Sequence, residues 1–410
     1  MFTRLLIVAS CLTFQYCHAQ DSDRTLKLIV DTYGLEYDGC MVDPTLIDPS
    51  LLGIGEVVFN SNVLSGDADT SCSTCHLDNK NLTDGLPISV GVGGVGEGHD
   101  RMLSNGVLVP RNAFTLFGRA SRDFTTFFWD GKVEASEGRI FSPIGNGFEK
   151  GFESPLSVAA VLPILARDEF LGRQSFFSSS EHLVTVDSAY FESKLDAMNS
   201  VLSTIVESEK GTELRTALAD AGLEGATLDL IGNALASFIA QKNTDCQESP
   251  WQQYLGGKLS ALSDKQKNGA VLFFGKGRCA ACHSGTVFSD FNYYSLGVPQ
   301  GGFGPHIHGQ DIGRASVTYD QDDRFMFRTP PLIGVSKTQP YGHNGTFESL
   351  RDVVLFHLNP VPFLADKGWD SDREFFNYGK VLGRRAIMLT HIDISSEREL
   401  SDILAFLEAL

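Results

Sequence analysis

Apolar residues recur at helical spacing through the middle of the chain. The longest run places them on one face, at Leu228, Ile231, Leu235, Phe238 and Ile239. Leu156, Ala159 and Ala160 form a shorter run. Pro163 should end or kink that shorter helix, because proline removes a helical hydrogen bond. Apolar positions three and four residues apart are typical of amphipathic helices, so both segments predict helices that pack against a core.

Two more helices are predicted towards the end of the chain. One covers Ser263–Gly275, and the other begins at Ser396-Glu-Arg-Glu399 before an apolar run. A serine followed three residues later by glutamate is a capping box, which starts a helix. With 41 glycines in 410 residues, long loops should connect these helices. The patterns predict a mainly α fold with long loops and extra packing helices.

Two Cys-x-x-Cys-His pentapeptides carry the strongest chemical signal. They are Cys72-Ser-Thr-Cys75-His76 and Cys279-Ala-Ala-Cys282-His283. This spacing puts two thiols on one helical turn, where they can add to the vinyl groups of a haem, and the histidine can then bind the iron. A zinc site would need more cysteine or histidine nearby. The sequence therefore predicts two covalently bound haem c groups, with His76 and His283 as proximal ligands.

The sequence that follows the first pentapeptide recurs in altered form after the second. Arg111-Asn-Ala-Phe-Thr-Leu-Phe and Phe128-Trp-Asp-Gly131 in the first half correspond to Phe327-Arg-Thr-Pro-Pro-Leu-Ile and Gly342-His-Asn-Gly345 in the second. The distance from proximal histidine to turn glycine is 55 residues (76 to 131) and 62 residues (283 to 345). An internal duplication explains this order. Each half should be a cytochrome c-like haem domain with a glycine turn near its haem.

The first 20 residues have the features of a secretory signal. Arg4 precedes an apolar run from Leu5 to Phe14, and the small residue Ala19 marks cleavage near residue 19 or 20. Cleavage as a lipoprotein at Cys11 is the alternative. We therefore predict a signal peptide at 1–20, an N-terminal haem domain with a helical extension at 21–245, and a C-terminal haem domain with terminal helices at 246–410. The mature protein should be periplasmic and should not span a membrane.

A formal net charge of −18 argues against nucleic acid and anionic membranes as partners. A protein partner should therefore meet a local patch on the surface. The alternative is that the acidity only keeps an exported protein in solution.

Two cysteines remain once the signal and the haem motifs are set aside. Cys11 and Cys17 leave with the signal and four cysteines lie in the pentapeptides, so Cys40 and Cys246 are left. In an oxidising compartment they form either a disulfide or two separate thiols.

The second axial position of each haem decides between electron transfer and peroxide chemistry, because peroxide needs an open iron. In the second half, the predicted helix Leu350–His357 ends in a histidine that can seal the iron. The alternatives are a surface histidine or the rival ligands Met326, Met388 and His343. The planar fork of Arg328 would suit a haem propionate.

The corresponding region of the first half is Pro143–Glu149. A carboxylate is a poor iron ligand, but it can move the proton that cleavage of a peroxide requires. Glu149 is therefore the predicted acid beside the first haem, with a solvated loop acid as the alternative. His306 and His308 lie in a glycine-rich loop and are too few to predict a metal site.

The motif pair, Phe128-Trp-Asp-Gly131, Pro143–Glu149 and Thr338-Gln-Pro-Tyr-Gly-His343-Asn-Gly resemble the bacterial di-haem cytochrome c peroxidase and MauG superfamily. The resemblance covers roughly residues 50–170 and 255–360. It implies a peroxidatic N-terminal haem with Glu149 on its distal face, hydrogen peroxide as substrate, and a small electron-donor protein. It also implies that Trp129 carries electrons between the haems, although an ordinary core tryptophan is the alternative. Calcium at Asn112 and the carbonyls of Thr338 and Pro340, and a homodimer, are implied as well.

One departure from that family leaves the function open. Where His357 stands, typical peroxidases have methionine and MauG has tyrosine. A second haem with two histidines resembles the MbnH branch, whose members oxidise a tryptophan on a partner protein. Three functions therefore remain: a cytochrome c peroxidase, an MbnH- or MauG-like enzyme that modifies a protein substrate, and a non-catalytic di-haem electron-transfer cytochrome.

Overall fold

The computed structural model describes residues 22–172, 191–244, 246, 248–300, 303–306, 309–366 and 378–410. The predicted signal peptide lies outside these ranges. Within them, no helix combines the length and the apolar character needed to cross a membrane.

Helices form most of the regular structure, which confirms the predicted mainly α class. They are α1 (22–33), α2 (Leu52–Asn60), α3 (Cys72–Cys75), α4 (Gly98–Met102), α5 (Pro155–Val161), α6 (Phe191–Glu207), α7 (Thr212–Asp220), α8 (Leu228–Thr244), α9 (Pro250–Leu255), α10 (Asp264–Phe274), α11 (Ala315–Thr318), α12 (Leu350–Leu358), α13 (Pro360–Asp366), α14 (378–382) and α15 (Glu397–Leu407).

The strands are short and pair only antiparallel. They are β1 (Ser89–Val90), β2 (Leu108–Val109), β3 (Thr126–Phe127), β4 (Val133–Ser136), β5 (Arg139–Phe141), β6 (Tyr293–Tyr294) and β7 (Phe327–Arg328). They form the pairs β1–β2 and β6–β7 and the three-stranded sheet β3–β4–β5. In β6–β7 Tyr293 lies opposite Arg328, and in β3–β4 Phe127 lies opposite Val133. The three-stranded sheet contributes Phe127, Val133 and Ile140 to the hydrophobic core.

The first core lies where α8 packs against α2 and α5. The predicted apolar face of α8 is buried at Leu228, Ile231, Leu235 and Ile239. Helix α5 starts at a Ser154 cap with Pro155 in its first turn and ends before Pro163. Both predicted packing helices are therefore confirmed.

The second core lies between α10 and α15. Helix α10 has a capping box between Ser263 and Gln266, as its sequence indicates. Ser396 caps α15 by accepting the backbone N–H of Glu399. The Glu399 carboxylate accepts from the backbone of Ser395 at 3.0 Å and pairs with Lys276 at 2.6 Å. The predicted helix start is confirmed, and its glutamate also ties α15 to the end of α10.

The N-terminal helix does not pack with the half that follows it in sequence. Leu26 and Leu35 are buried with Trp251 and Phe406 in the second core. A disulfide between Cys40 and Cys246 joins the start of the chain to the segment after α8. Of the two alternatives for these cysteines, the structure contains the disulfide. The boundary at 245/246 stays a prediction, with α1 belonging in space to the second half.

The two turn glycines of the repeat each contact the opposite half. Gly131 has φ +66°, and a Cβ there would lie 1.7 Å from the hydroxyl of Tyr293. Gly345 has φ +61°, and a Cβ there would lie 2.1 Å from the backbone of Pro87. Only glycine suits both the left-handed backbone and the close approach. The duplicated turns thus form matching contacts between the halves.

Candidate functional site

The first pentapeptide forms a single helical turn at the edge of a cavity. Ser71 and Thr74 cap α3 reciprocally, and both Cys72 and Cys75 line the cavity. Burial raises the pKa of each of these thiols to about 12. Redox-active dithiols need the opposite shift, because the thiolate is the reactive form. The pair therefore does not suit thiol redox chemistry, and it is free to attach a cofactor.

His76 lines the same cavity with its ring oriented for metal binding. Its Nδ1–H donates to the carbonyl of Leu82 at 2.8 Å, so Nε2 is left for a ligand bond. Burial lowers the pKa of His76 to about 4, which keeps the imidazole neutral, as iron ligation requires. In metal-binding histidines, a hydrogen bond from the ring nitrogen that does not bind the metal fixes the tautomer and the ring orientation.

The second pentapeptide repeats this arrangement on a 3₁₀ turn, Cys279–Ala281. The backbone N–H of His283 closes the turn on Cys279 at 2.9 Å. The Nδ1–H of His283 donates to Phe288 at 3.1 Å, and burial lowers its pKa to about 4. His76 and His283 thus share one local arrangement, as the duplication predicts.

His357 faces the second cavity from the last turn of α12. Its Nδ1–H donates to the carbonyl of Val353, one turn earlier, at 2.8 Å. Burial lowers the pKa of His357, so this imidazole is neutral too. Both His283 and His357 line the cavity, and a proton on His357 would lower the pKa of His283. The structure brings together the two histidines that the sequence paired.

The three rival ligands of the second haem lie in different surroundings. Met388 lines the second cavity, but its sulfur lies 3.3 Å from the Cys282 thiol, next to the attachment turn. His343 also lines the cavity, stacked on Phe327 at 3.7 Å. Met326 is not among the lining residues. His357 lines the cavity from within helix α12, so it is the candidate ligand that a regular element holds in place.

The two cavities fit a large apolar cofactor. Their volumes are about 370 and 310 Å³, within the range of cofactor sites. Aromatic and aliphatic side chains dominate both linings, for example Phe59 and Leu235 in the first cavity and Phe273 and Leu407 in the second. Each cavity has a paired-cysteine turn and a neutral histidine at its wall, which are the groups that hold a haem c.

The cavities share one wall. Asn112, Ala113, Phe114 and Trp129 line both of them. The indole N–H of Trp129 donates to the carbonyl of Asn112 at 3.0 Å. The Trp129 ring also meets His343 edge-on, with centroids 6.4 Å apart. Trp129 therefore lies between the two sites, where the family resemblance placed it.

Glu149 does not reach the first cavity. It lies on an exposed 3₁₀ turn, Phe148–Lys150, and is absent from the lining. The turn follows β5 and closes on Gly147, which directs its side chains to solvent. Glu149 as the acid beside the first haem therefore stays a prediction, because the chain after β5 carries its turn outside this cavity lining.

Glu169 is an acid that does line the first cavity. It lies on a π-helical turn, Arg167–Leu171, and lines the first cavity together with His76. Burial raises the pKa of Glu169, and the positive charge of Lys132, which also lines the cavity, opposes the shift. A sequence signal was available: the charged run Arg167-Asp168-Glu169 interrupts an apolar stretch that ends in Phe170 and Leu171, whereas Glu149 lies among glycines.

A second imidazole approaches the first cavity from the opposite half. His306, on the loop before α11, lines it. The Nδ1 atom of His306 lies 3.2 Å from the carbonyl of Gln310 and 3.4 Å from the backbone nitrogen of Ile312. The neighbouring His308 lies outside the described residues.

The predicted calcium ligands lie close together but are engaged with one another. Asn112 is buried, and its amide nitrogen donates to Leu86 at 2.7 Å and to Pro340 at 3.4 Å. Thr338 and Pro340 both line the second cavity. The described residues contain no cluster of three or more His, Cys, Asp or Glu side chains suited to a metal. Calcium at this point stays a prediction, because its ligands would be one amide and backbone carbonyls.

Comparison with known proteins places these features in a family. The family model of di-haem cytochrome c peroxidases matches residues 49–260, which is more than half of the chain. The cytochrome-c peroxidase IdrP2 of Denitromonas iodatirespirans is 25% identical over 383 residues, covering 88% of this chain and 81% of that protein. The methylamine utilization protein MauG of Methylorubrum extorquens is 26% identical over 374 residues, covering 89% and 79%.

A solved structure shares the fold. It is that of a MauG-like protein associated with microbial copper homeostasis, with a TM-score of 0.59 and 19% identity. The match covers 91% of this chain and 93% of that one.

Proposed function

The chain belongs to the di-haem cytochrome c peroxidase family, and we propose that it is a periplasmic oxidoreductase that reduces hydrogen peroxide at its first haem, using electrons relayed through the second. The family implies two haems. We propose that they are haem c groups joined to Cys72 and Cys75 and to Cys279 and Cys282. The electron source would be a small donor protein, and the homodimer and the cleaved signal stay predictions.

One asymmetry supports this proposal. The second cavity has imidazoles from His283 and from His357, which lies on a helix, whereas the first has His76 and an acid, Glu169. The further imidazole of the first cavity, His306, lies on a loop with its Nδ1 3.2 Å from the carbonyl of Gln310. A haem with one open axial position binds and cleaves peroxide, and one with two protein ligands transfers electrons. The chemistry is therefore assigned to the first cavity and electron relay to the second.

Glu169 is proposed as the group that moves the proton, in place of Glu149. Cleavage of a peroxide O–O bond needs a proton taken from one oxygen and given to the other. As a carboxylate, Glu169 would take the proton from one peroxide oxygen, and as the resulting acid it would give that proton to the leaving oxygen. Burial raises the pKa of Glu169, which makes its carboxylate a stronger base for the first transfer, and the charge of Lys132 opposes this shift.

Trp129 is proposed as the electron path between the sites. It is the aromatic side chain of the shared wall that also holds a backbone hydrogen bond, to Asn112. Because this hydrogen bond fixes the indole, the ring would keep one orientation relative to both redox groups during electron transfer.

A second candidate function rests on His357. Two imidazoles at the second haem match the resemblance to the MbnH branch, whose members act on a tryptophan of a partner protein. The chain would then use peroxide to oxidise a side chain on a bound protein substrate, as an MbnH- or MauG-like enzyme.

Electron paramagnetic resonance of the resting ferric protein, with peroxide assays, tests these functions. One low-spin haem and one haem open to an added ligand such as cyanide support peroxide chemistry. Two low-spin haems in every redox state indicate the electron-transfer cytochrome instead.

In that case the His306→Ala variant tests which residue is the sixth ligand of the first haem. A first haem that becomes high-spin in this variant would assign the ligand to His306. Rapid turnover with reduced cytochrome c favours the peroxidase, whereas negligible turnover with a long-lived oxidised species favours protein modification.

A further inference from the structure

Two arginines are buried in the wall of the second cavity. Arg119 is 3% exposed and Arg328 is 2% exposed, and both line that cavity. They come from different halves of the chain, Arg119 from the loop before β3 and Arg328 from β7.

Their guanidinium groups are only partly satisfied by the protein. Arg119 donates from Nε to the carbonyl of Thr115 at 2.7 Å, and its Nη1 has no partner. Arg328 donates from Nε to Phe128 at 3.0 Å and from Nη1 to Thr329 at 3.2 Å. All of these acceptors are neutral carbonyls. A guanidinium offers five N–H donors, so both groups keep donors for another ligand.

The two positive charges lie close to each other. Both guanidinium carbons lie over the ring of Phe124, at 4.4 Å for Arg119 and 5.5 Å for Arg328. Burial, and then the charge of Arg328, push the pKa of Arg119 well below its usual range. Arginine nevertheless stays protonated in proteins, so the charge has to be balanced in another way.

Among the residues that the structure describes, no carboxylate forms an ion pair with either arginine. Asp130 is the acid whose charge reaches Arg328, but it is bound to Arg111 at 2.6 Å. A second acid, Asp311, binds the same Arg111 at 2.7 Å. Buried charges persist when they are paired, so the missing partner should be a ligand of the cavity.

We propose that Arg119 and Arg328 form an anion site that binds a carboxylate of the second haem, one of its propionates. This inference rests on the proposed haem occupancy of the second cavity. A haem enters such a cavity with an apolar ring and two carboxylates, and the planar fork of arginine matches a carboxylate. Since Arg119 comes from the first half, a haem bound here would be held by both halves of the chain.

The proposal has an electrostatic consequence. A positive charge beside a haem stabilises the reduced state, which carries one positive charge fewer at the iron. Two buried guanidiniums should therefore hold the reduction potential of the second haem higher than its two imidazoles alone would set it. The charge of Arg119 also lowers the pKa of His76, so it acts on the proximal ligand of the first haem too.

The test uses Arg119→Gln in the full di-haem protein. Its matched control is Arg351→Gln, which removes an exposed cation on the helix of His357, where Arg351 pairs with Glu397 at 3.0 Å. We expect Arg119→Gln to lower the midpoint potential of the second haem in a spectroelectrochemical titration and to shift the propionate bending band in resonance Raman spectra. Arg351→Gln should change neither, because water screens its charge. Unchanged potential and band in Arg119→Gln would overturn the proposal.

A free anion such as chloride offers the same chemistry as a propionate, and a second arm separates the two. If chloride occupies the site, the wild-type potential falls as chloride replaces a non-binding anion at constant ionic strength. That result would overturn the haem assignment.

If Arg119→Gln yields no folded protein, Arg119→Lys and Arg328→Lys keep the positive charge and lose the planar guanidinium. Both should then shift the propionate band with little change in potential, and an unshifted band in both would reject the proposal. Haem content and the low-spin spectrum of the wild type report separately on haem occupancy.

Discussion

The indole of Trp129 and the carbonyl of Asn112 are joined by a 3.0 Å hydrogen bond in the wall that separates the two cavities. Both residues line both cavities, so this one bond fixes the orientation of the ring that faces each site. The backbone N–H of Asn112 in turn donates to the backbone carbonyl of His343 at 2.9 Å, and this bond joins the shared wall to the second half of the chain.

Replacing Trp129 by phenylalanine should slow electron transfer between the haems and leave both haems bound. The loss of the hydrogen bond should cost about 1 kcal/mol of unfolding free energy. Stopped-flow spectroscopy of the half-reduced protein after addition of peroxide measures the transfer. Trp251→Phe is the control, because Trp251 is buried in the second core outside both cavities. Equal transfer rates in the two variants would contradict the role of Trp129.

Glu169→Gln should lower peroxide turnover by about a hundredfold to ten-thousandfold, the range for loss of a general acid–base group. Glutamine keeps the shape of the side chain but cannot release and regain a proton. Steady-state kinetics with reduced cytochrome c measures the effect. Glu149→Gln is the matched control and should leave turnover unchanged, since Glu149 is exposed outside the cavity. The reverse result, with Glu149→Gln inactive, would restore the interpretation made from sequence spacing.

His357→Ala should convert the second haem from low spin to high spin. The change removes the imidazole that faces His283 and leaves helix α12 in place. Electron paramagnetic resonance and the visible spectrum detect the change. His391→Ala, at an exposed histidine in the same half of the chain, should leave the spectrum unaltered. A second haem that stays low-spin in His357→Ala would instead point to Met388 or His343, which line the same cavity.

Gly345→Ala should destabilise the contact between the halves. Its Cβ would lie 2.1 Å from the backbone of Pro87, which has no flexible end to move away. Gly138→Ala is the control, because Gly138 has φ +72° and open space around its Cβ position. Both variants should lose about 1–2 kcal/mol from the left-handed backbone. Gly345→Ala should lose about 1–3 kcal/mol more from the clash, as measured by denaturant unfolding.

Removal of the Cys40–Cys246 disulfide should cost about 2–5 kcal/mol. The bond closes a segment of the chain between residues 206 apart in sequence, and it holds the start of the chain beside the second core. The Cys40→Ser/Cys246→Ser double variant should unfold at lower denaturant than the wild type. A reductant should shift the wild type towards the double variant and leave the double variant unchanged. A double variant as stable as the oxidised wild type would show that packing alone holds this segment.

Local features of the fold could be predicted from the sequence because they depend on near neighbours in the chain. The apolar faces of α5 and α8, the helix starts at Ser263 and Ser396, and the two Cys-x-x-Cys-His turns depend on residues within one or two helical turns. His357 could also be named from the sequence, because it ends a predicted helix shortly after the turn at Gly345.

Contacts between distant segments depended on the tertiary structure. Glu149 and Glu169 are both acids downstream of Trp129, and spacing along the chain does not show that Glu169 is the one that lines the cavity. The course of the chain through β5, an exposed turn and α5 decides which of them reaches the cavity. The joining of α1 to the second core and the meeting of Arg119 with Arg328 have the same origin. A sequence determines which groups are available for chemistry, but burial in a shared cavity depends on how distant segments pack together.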